Sequence, residues 1–259
     1  MTTRILCSGG AARGAVQVAP LRALWSRYGF DVEVDGTSTG AVSAVAYASG
    51  QLDALEQLYA TLDRFQRLRP PWLWLSGMYE LTPLRRVLLE QLTGRELRCP
   101  AYAHVVDVAA RRYERVQLHD RPIAFVVDAV IASCSQPAPV HAPAYLGGRR
   151  KTDGGAWHPM PVVEPDAGDQ VWALSCAPLS WGLLEQDQEE IGVWDSVRVM
   201  IEGDHEDDLQ RLRRQAGTAE VVLVEPRQDP GPPMDFSPAW RARRLHEIGP
   251  QAWASRRTL

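Results

Sequence analysis

Three short stretches of this chain hold residue types that could carry out acyl transfer. The first is Gly36-Thr37-Ser38-Thr39-Gly40, a G-x-S-x-G between an apolar run and a stretch of small residues. A serine on a tight strand-to-helix turn is pushed clear of the main chain, and glycines on either side relieve the crowding. The helix start behind it favours a developing negative charge. Ser38 is therefore the candidate nucleophile, with Gly36 and Gly40 as its elbow. The plainer reading is a glycine turn with an incidental serine. The second stretch is Ser8-Gly9-Gly10-Ala11-Ala12-Arg13-Gly14, also between a strand pattern and a helix pattern. Acyl transfer passes through a tetrahedral oxyanion, which needs main-chain N–H donors already aimed at it, each worth about 3 kcal/mol. Glycines let the backbone come close and turn its amides inward. The third is Asp153-Gly154-Gly155. A serine is a weak nucleophile until a base takes its proton, and a carboxylate does so directly where poor solvation raises its basicity. By itself an Asp before two glycines is also an ordinary turn.

The glycine loop has a nucleotide-binding rival, since helix starts also hold phosphates. A dinucleotide fingerprint would need glycines at 9, 11 and 14, and residue 11 is Ala. A Walker loop would need Lys after its last glycine, where Ala15 stands.

These three stretches must be placed by a regular frame. Residues 4–7 read as a buried strand and 15–28 as an amphipathic helix, with Val16, Val18, Leu21, Leu24 and Trp25 at helical spacing. A strand is expected at 30–34 and a helix of small residues at 41–49. Further helices are expected at 52–68, stopped by Pro70-Pro71, and at 81–92, with Thr82 as cap and Pro83 in the first turn. Strands at 103–109 and 113–118 read as a hairpin. A helix follows at 123–133, a proline- and glycine-rich loop at 137–148, strands at 170–175 and 220–224, and helices at 204–215 and 239–248. Strands alternating with helices predict a layered α/β fold with a mostly parallel central sheet. No repeat or composition break divides the chain, so a single domain over 1–259 is expected, with 249–259 as a frayed tail.

Composition agrees with a globular protein: 45% of the 259 residues are hydrophobic and 23% charged. The net charge of −4 carries no basic footprint for nucleic acid. Cys7, Cys99, Cys134 and Cys176 lie far apart without metal-ligand spacing, so buried free thiols are expected and no metal site. There is no leader-like start and no run of about 18 apolar residues, which makes the cytoplasm the default expectation.

Taken in order, the glycine loop, G-x-S-x-G and D-G-G together resemble the patatin-like phospholipase family. Its loop typically reads G-G-G-x-R-G, and Gly9, Gly10, Arg13 and Gly14 match while Ala11 replaces a glycine. Ala keeps its amide N–H, but a backbone needing φ > 0 would strain it. Ala132-Ser133-Cys134-Ser135-Gln136-Pro137 with Pro139-Val140, the stretch 78–92, and segments 222–226 and 234–237 resemble the family as well, over about residues 4 to 253. Trp157-His158-Pro159-Met160-Pro161 departs from it, because an Asn is common there. The resemblance implies a three-layer α/β/α fold with a mostly parallel central sheet, Ser38 as nucleophile, Asp153 as its dyad acid, no metal or other cofactor, and hydrolysis of acyl esters in lipids. It implies Arg13 as a brace for the loop, with contact to a lipid phosphate as the alternative.

Other machines remain open. A Ser-His-Asp esterase of the α/β-hydrolase kind lays down several strands before its nucleophile, and Ser38 leaves room for about two. Its histidine would come from His205 or His246, with His158 the awkward neighbour of Asp153. His104 and His141 precede the proposed acid, and His119 ends a hairpin. A degenerate lipid-binding member and an acyltransferase are further alternatives. Segment 71–79, with Trp72, Leu73, Trp74 and Met78, could form a flap or touch a membrane surface. Core packing between helices is the expectation here. Neither head group, chain length nor oligomeric state is legible.

Overall fold

The computed structural model describes residues 1–61, 66–137, 139–177, 207–232 and 235–259. The expected helix at 204–215 is seen over 207–216, its first residues lying outside the described ones. The expected strands and helices otherwise form with shifted ends. β1 is Thr3–Cys7, followed by a 3-10 helix Ala11–Gln17 and α1, Val18–Tyr28. β2 is Glu33–Thr37, three residues later than expected, and runs into α2, Thr39–Ala48. α3, Leu52–Thr61, is shorter than expected, because Arg67–Leu68 is a strand, β3, paired with β4, Tyr79–Glu80. α4 is Thr82–Leu92, with Leu81 and not Thr82 at the cap position.

β5, Ala101–Asp107, and β6, Arg112–Gln117, form the hairpin. α5 is Ile123–Cys134. The loop expected at 137–148 contains β7, Ala144–Leu146, which pairs with β8, Arg149–Asp153. β9 is Gln170–Leu174, α6 is helical over 207–216, and β10 is Glu220–Val224. α7, Pro238–Arg243, a π-helical turn Arg244–Ile248 and α8, Gly249–Ala254, complete the helices. Segment 249–259 is docked, not frayed: after α8, Arg257–Thr258 adds a strand, β11, to β10.

The central sheet runs β11-β10-β9-β1-β2-β5-β8-β7, with β6 on β5. Its five middle strands, β10, β9, β1, β2 and β5, are parallel, and the strands at either side are antiparallel. Both faces are covered, which explains the nearly unbroken apolar runs of the parallel strands. Ile5, Cys7, Val34, Trp172, Leu174, Val222 and Val224 pack into the core beneath α1 to α5. Leu6, Val171, Ala173, Val221 and Leu223 point the other way, against Leu209 and Leu212 of α6 and Met160. The fold is thus three-layered α/β/α.

Two features of topology prepare a site. The chain leaves β1 toward β2 on one side and reaches β9 on the other, so the order reverses beside the carboxyl end of β1. Such a switch point opens a crevice for ligands in α/β sheets. The glycine loop starts there. The second feature is the edge of β5. β6 occupies one edge over Tyr102–Asp107, so β2 and β8 must share the other. β2 ends with Thr37 opposite His104, and β8 ends with Asp153 opposite Val105. The two strands meet end to end, and Ser38 and Asp153 follow from that register.

Candidate active site

Ser38 sits between β2 and α2 at φ 54°, ψ −126°, a conformation rarely held by residues other than glycine. Holding it there costs of order 1–3 kcal/mol, which the surroundings must supply. Its amide N–H donates to Ser133 Oγ at 2.9 Å, and Ser133 Oγ donates onward to the His104 carbonyl at 2.7 Å. Ser133 therefore ties the turn to β5. The elbow glycines are steric necessities: a Cβ on Gly36 would lie 2.1 Å from the Gly40 carbonyl oxygen, and one on Gly40 would lie 2.0 Å from that of Cys7. All ten residues of α2 are buried, so only small side chains and one tyrosine, Tyr47, fit between it and the sheet.

Asp153 closes β8 and caps the 3-10 turn Gly154–Ala156, its Oδ1 accepting from Gly155 N at 2.7 Å. Gly154 must lack a side chain, since a Cβ would sit 2.5 Å from the His104 carbonyl oxygen. The carboxyl is buried, 3% exposed. Burial pushes its pKa up to about 7, and the hydrogen bonds from Gly155 and the Ser38 side chain only partly offset this. The serine hydroxyl and the carboxyl are therefore direct neighbours. Among the described residues no histidine is one of the groups acting on Asp153.

The glycine loop passes over Ser38, where a Cβ on Gly9 would approach the serine Cβ to 3.1 Å. Three of its amides are occupied: Ser8 N donates to Leu174 O at 3.0 Å, Gly9 N to Pro159 O at 2.8 Å and Arg13 N to Gly10 O at 2.9 Å. Among the described residues the N–H groups of Gly10 and Ala11 meet no main-chain acceptor. Gly10 packs on Cys176, which a Cβ would approach to 2.5 Å, and Gly14 packs on the Tyr59 hydroxyl. Ala11, the residue in place of a glycine, has φ 48°, so the strain expected for a positive φ is present. Ala12 is buried behind it.

Arg13 is buried, and its Nε donates to the Gly231 carbonyl at 2.6 Å. Arg244 holds the same segment, donating to the carbonyls of Pro230 at 2.7 Å, Pro232 at 2.8 Å and Asp235 at 2.5 Å. Burial lowers its pKa to about 10, which leaves it a cation at neutral pH. Gln17 adds a third support: its Nε2 donates to Ser8 O and Leu174 O, and its Oε1 accepts from Ser43. The sequence carried no signal for Arg244 or Gln17, because the groups they bind are backbone carbonyls or, for Ser43, a side chain brought near only by the fold. Ser133 lay inside a recognised stretch, but its bond to Ser38 depends on tertiary placement.

The histidines are used elsewhere. His158 Nδ1 pairs with the buried Asp208 at 2.7 Å, Arg211 lies 2.9 Å from its Nε2, and Tyr113 stands edge-on to its ring. Its main-chain N–H donates to Gly154 O, so it fixes the Asp153 turn through the backbone. His104 Nε2 faces Asp35 at 2.7 Å beneath the sheet edge, with Arg115 on the same carboxylate. His119 Nδ1 accepts from Ala101 N, and His246 lies in the π-helical turn. Burial lowers His141 to about 4, and this neutral ring joins Gln66 and Gln136. His205 lies outside the described residues. All four cysteines are buried and free.

Segment 71–79 departs from the favoured expectation of core packing. Pro71–Ser76 is a 3-10 helix with no buried residue, on which Trp72 is 80% and Leu75 97% exposed.

Residues 5–166 match the family model described as patatin-like phospholipase. No curated protein sequence matches the chain. The crystal structure of VipD from Legionella pneumophila is similar with a TM-score of 0.46 and 14% identity, over 100% of this chain and 68% of that one.

Proposed function

Because this chain belongs to the patatin-like phospholipase family, we propose that it is a serine acyl hydrolase of lipid esters whose working pair is Ser38 and Asp153. The observation carrying this reading is the contact between the Ser38 side chain and a buried carboxyl whose pKa is lifted to about 7. An ordinary carboxylate is too weak a base to help a serine. One lifted to neutrality has nearly the basicity of an imidazole while staying substantially ionised, the condition under which general-base catalysis is most effective.

Asp153 takes the hydroxyl proton as Ser38 Oγ attacks the ester carbonyl. The tetrahedral oxyanion is received by the N–H groups of Gly10 and Ala11. The bond to the alcohol breaks, and that leaving group takes the proton from Asp153. Water then gives a proton to Asp153 as it attacks the acyl-serine, and collapse of the second oxyanion frees the fatty acid and restores the serine. Each oxyanion donor contributes about 3 kcal/mol of transition-state stabilisation, and general-base assistance roughly 10²–10⁴-fold in rate.

A panel of acyl esters from short chains to phospholipids tests this. Ser38→Ala should lose turnover and fluorophosphonate labelling with unchanged thermal unfolding. His158→Ala should keep turnover within about tenfold, since its imidazole serves Asp208. Retained turnover in the first variant, or complete loss in a folded second variant, contradicts the pairing.

A further inference from the structure

Five of the nine large apolar side chains exposed among the described residues fall within eight consecutive positions: Leu68, Trp72, Leu73, Trp74 and Leu75. Single exposed apolar residues are ordinary, but a contiguous group marks a contact surface. The group is also firmly presented. Arg69 N donates to Met78 O and Leu73 N to Pro70 O, while Gly77 N donates to Trp74 O and the Trp74 indole N–H to Arg69 O. Arg69 Nη1 donates to Gly77 O at 2.9 Å across the turn. Gly77 holds φ 127° with its Cα so close to the 137–142 loop that a Cβ would be 2.3 Å from Ala142 N. The turn thus cannot fold its apolar side chains back without breaking this set of bonds.

We propose that the Pro71–Ser76 turn docks the protein on a lipid bilayer surface, with Trp72 and Leu75 entering the apolar layer and Arg67 and Arg69 at phosphate level. The choice of occupant rests on the lipid-ester reading above. It also rests on charge, because segment 66–79 holds two arginines and no Asp or Glu in a chain of net charge −4. Arg67 pairs with Glu80, whereas Arg69 donates to Gly77 O and Ser76 Oγ and has no carboxylate partner among the described residues. An indole-and-leucine tip above a basic collar matches a hydrocarbon boundary beneath anionic phosphates.

The turn is also continuous with the site. Met78 N and Tyr79 N donate to the carbonyls of Pro139 and Val140, and Ala142 N donates back to Tyr79. His141 links Gln66 to Gln136 at the main-chain N–H. One residue before Gln136, the Ser135 carbonyl accepts from Asp153 N at 2.7 Å. A bilayer gripped by the turn would therefore stand in fixed relation to the carboxyl. Among the described residues no helix is long and apolar enough to cross a membrane.

The test is co-sedimentation with zwitterionic phosphatidylcholine vesicles, with and without 20% phosphatidylserine, at low salt and at 0.5 M NaCl. Wild type and Ser38→Ala should bind alike, and more tightly with the anionic lipid at low salt. The double variant Trp72→Ala/Leu75→Ala should lose about tenfold or more in affinity and in turnover of vesicle substrate. Its turnover of a soluble short-chain ester should stay unchanged, which reports an intact fold. Equal vesicle binding by the double variant overturns the proposal. So does concentration-dependent dimerisation lost in that variant without wild-type vesicle binding, which assigns the turn to a second copy. Vesicle binding that depends on Trp72 and Leu75 in a protein inert toward every ester would refute the hydrolase reading and leave the docking surface standing.

Discussion

Replacing Asp153 by Asn should abolish turnover and yet stabilise the protein at neutral and alkaline pH. Asn keeps the size of the side chain and an acceptor for Gly155 N, while removing a buried charge that has no cation beside it among the described residues. In the folded protein the Asp153 pKa is lifted from 3.8 to about 7 by burial. The folded state thus binds its proton more tightly than the unfolded state does, and between those two values stability falls as pH rises. Below about pH 4 the group is neutral in both states and contributes nothing to the pH dependence. Above about 7 it is ionised in both, and the folded state carries the full desolvation penalty. A separation of about three pH units at 1.36 kcal/mol each gives about 4 kcal/mol. Urea unfolding of wild type and Asp153→Asn at intervals from pH 4 to 8.5 measures this directly, because the other titrating groups are common to both chains and cancel in the difference. The variant's advantage should grow by up to about 4 kcal/mol across the window. A difference that does not change with pH, or a wild type that gains on the variant as pH rises, would show an ordinary carboxylate and remove the basis for treating Asp153 as the base.

The pH dependence of kcat/KM should follow the same group with the opposite benefit, rising about tenfold per unit below pH 7 and levelling off above about 8; a flat profile from pH 5 to 9 contradicts it. Ala11→Gly should relieve a left-handed alanine at φ 48°, raising stability by about 1 kcal/mol and the melting temperature by about 2–4 °C with turnover retained; a lower melting temperature would refute the strain. Ser133→Ala should leave the Ser38 amide and the His104 carbonyl without their shared partner, costing about 1–3 kcal/mol for each unpaired group. Fluorophosphonate labelling of Ser38 should slow at least tenfold in the folded variant, and an unchanged rate would show that the elbow holds its geometry without the bridge.

The parts of the site legible in the sequence were those fixed by local sterics. Gly36 and Gly40 announce a turn in which any side chain would collide with main chain, and Gly154 does the same beside Asp153. The buried strands were legible because apolar runs bounded by glycines have few alternatives. Their ends were less so: β2 runs on through Asp35, Gly36 and Thr37, polar or small residues that an apolar pattern does not include. The short β3–β4 hairpin was hidden because Arg67–Leu68 continues the helical spacing of α3, and its pairing with Tyr79–Glu80 is non-local. The exposure of Trp72 and Leu75 ran against composition, since indole and leucine ordinarily mark a core. Nor could the carbonyls of Pro230, Gly231, Pro232 and Asp235 be foreseen as the partners of two buried arginines, because backbone acceptors leave no pattern in residue types. What joins Ser38 to Asp153 is the sharing of one edge of β5 by β2 and β8, a register relation invisible in one dimension.

Capture of the covalent intermediate addresses the proposed chemistry most directly. Wild-type protein mixed with a slowly deacylating ester, quenched in acid and digested, should carry one acyl group per chain on the peptide containing Ser38, and Asp153→Asn should accumulate it far more slowly. An acyl group on any other residue, or full turnover with no acylated peptide under conditions that trap known acyl-serines, would contradict Ser38 as the nucleophile.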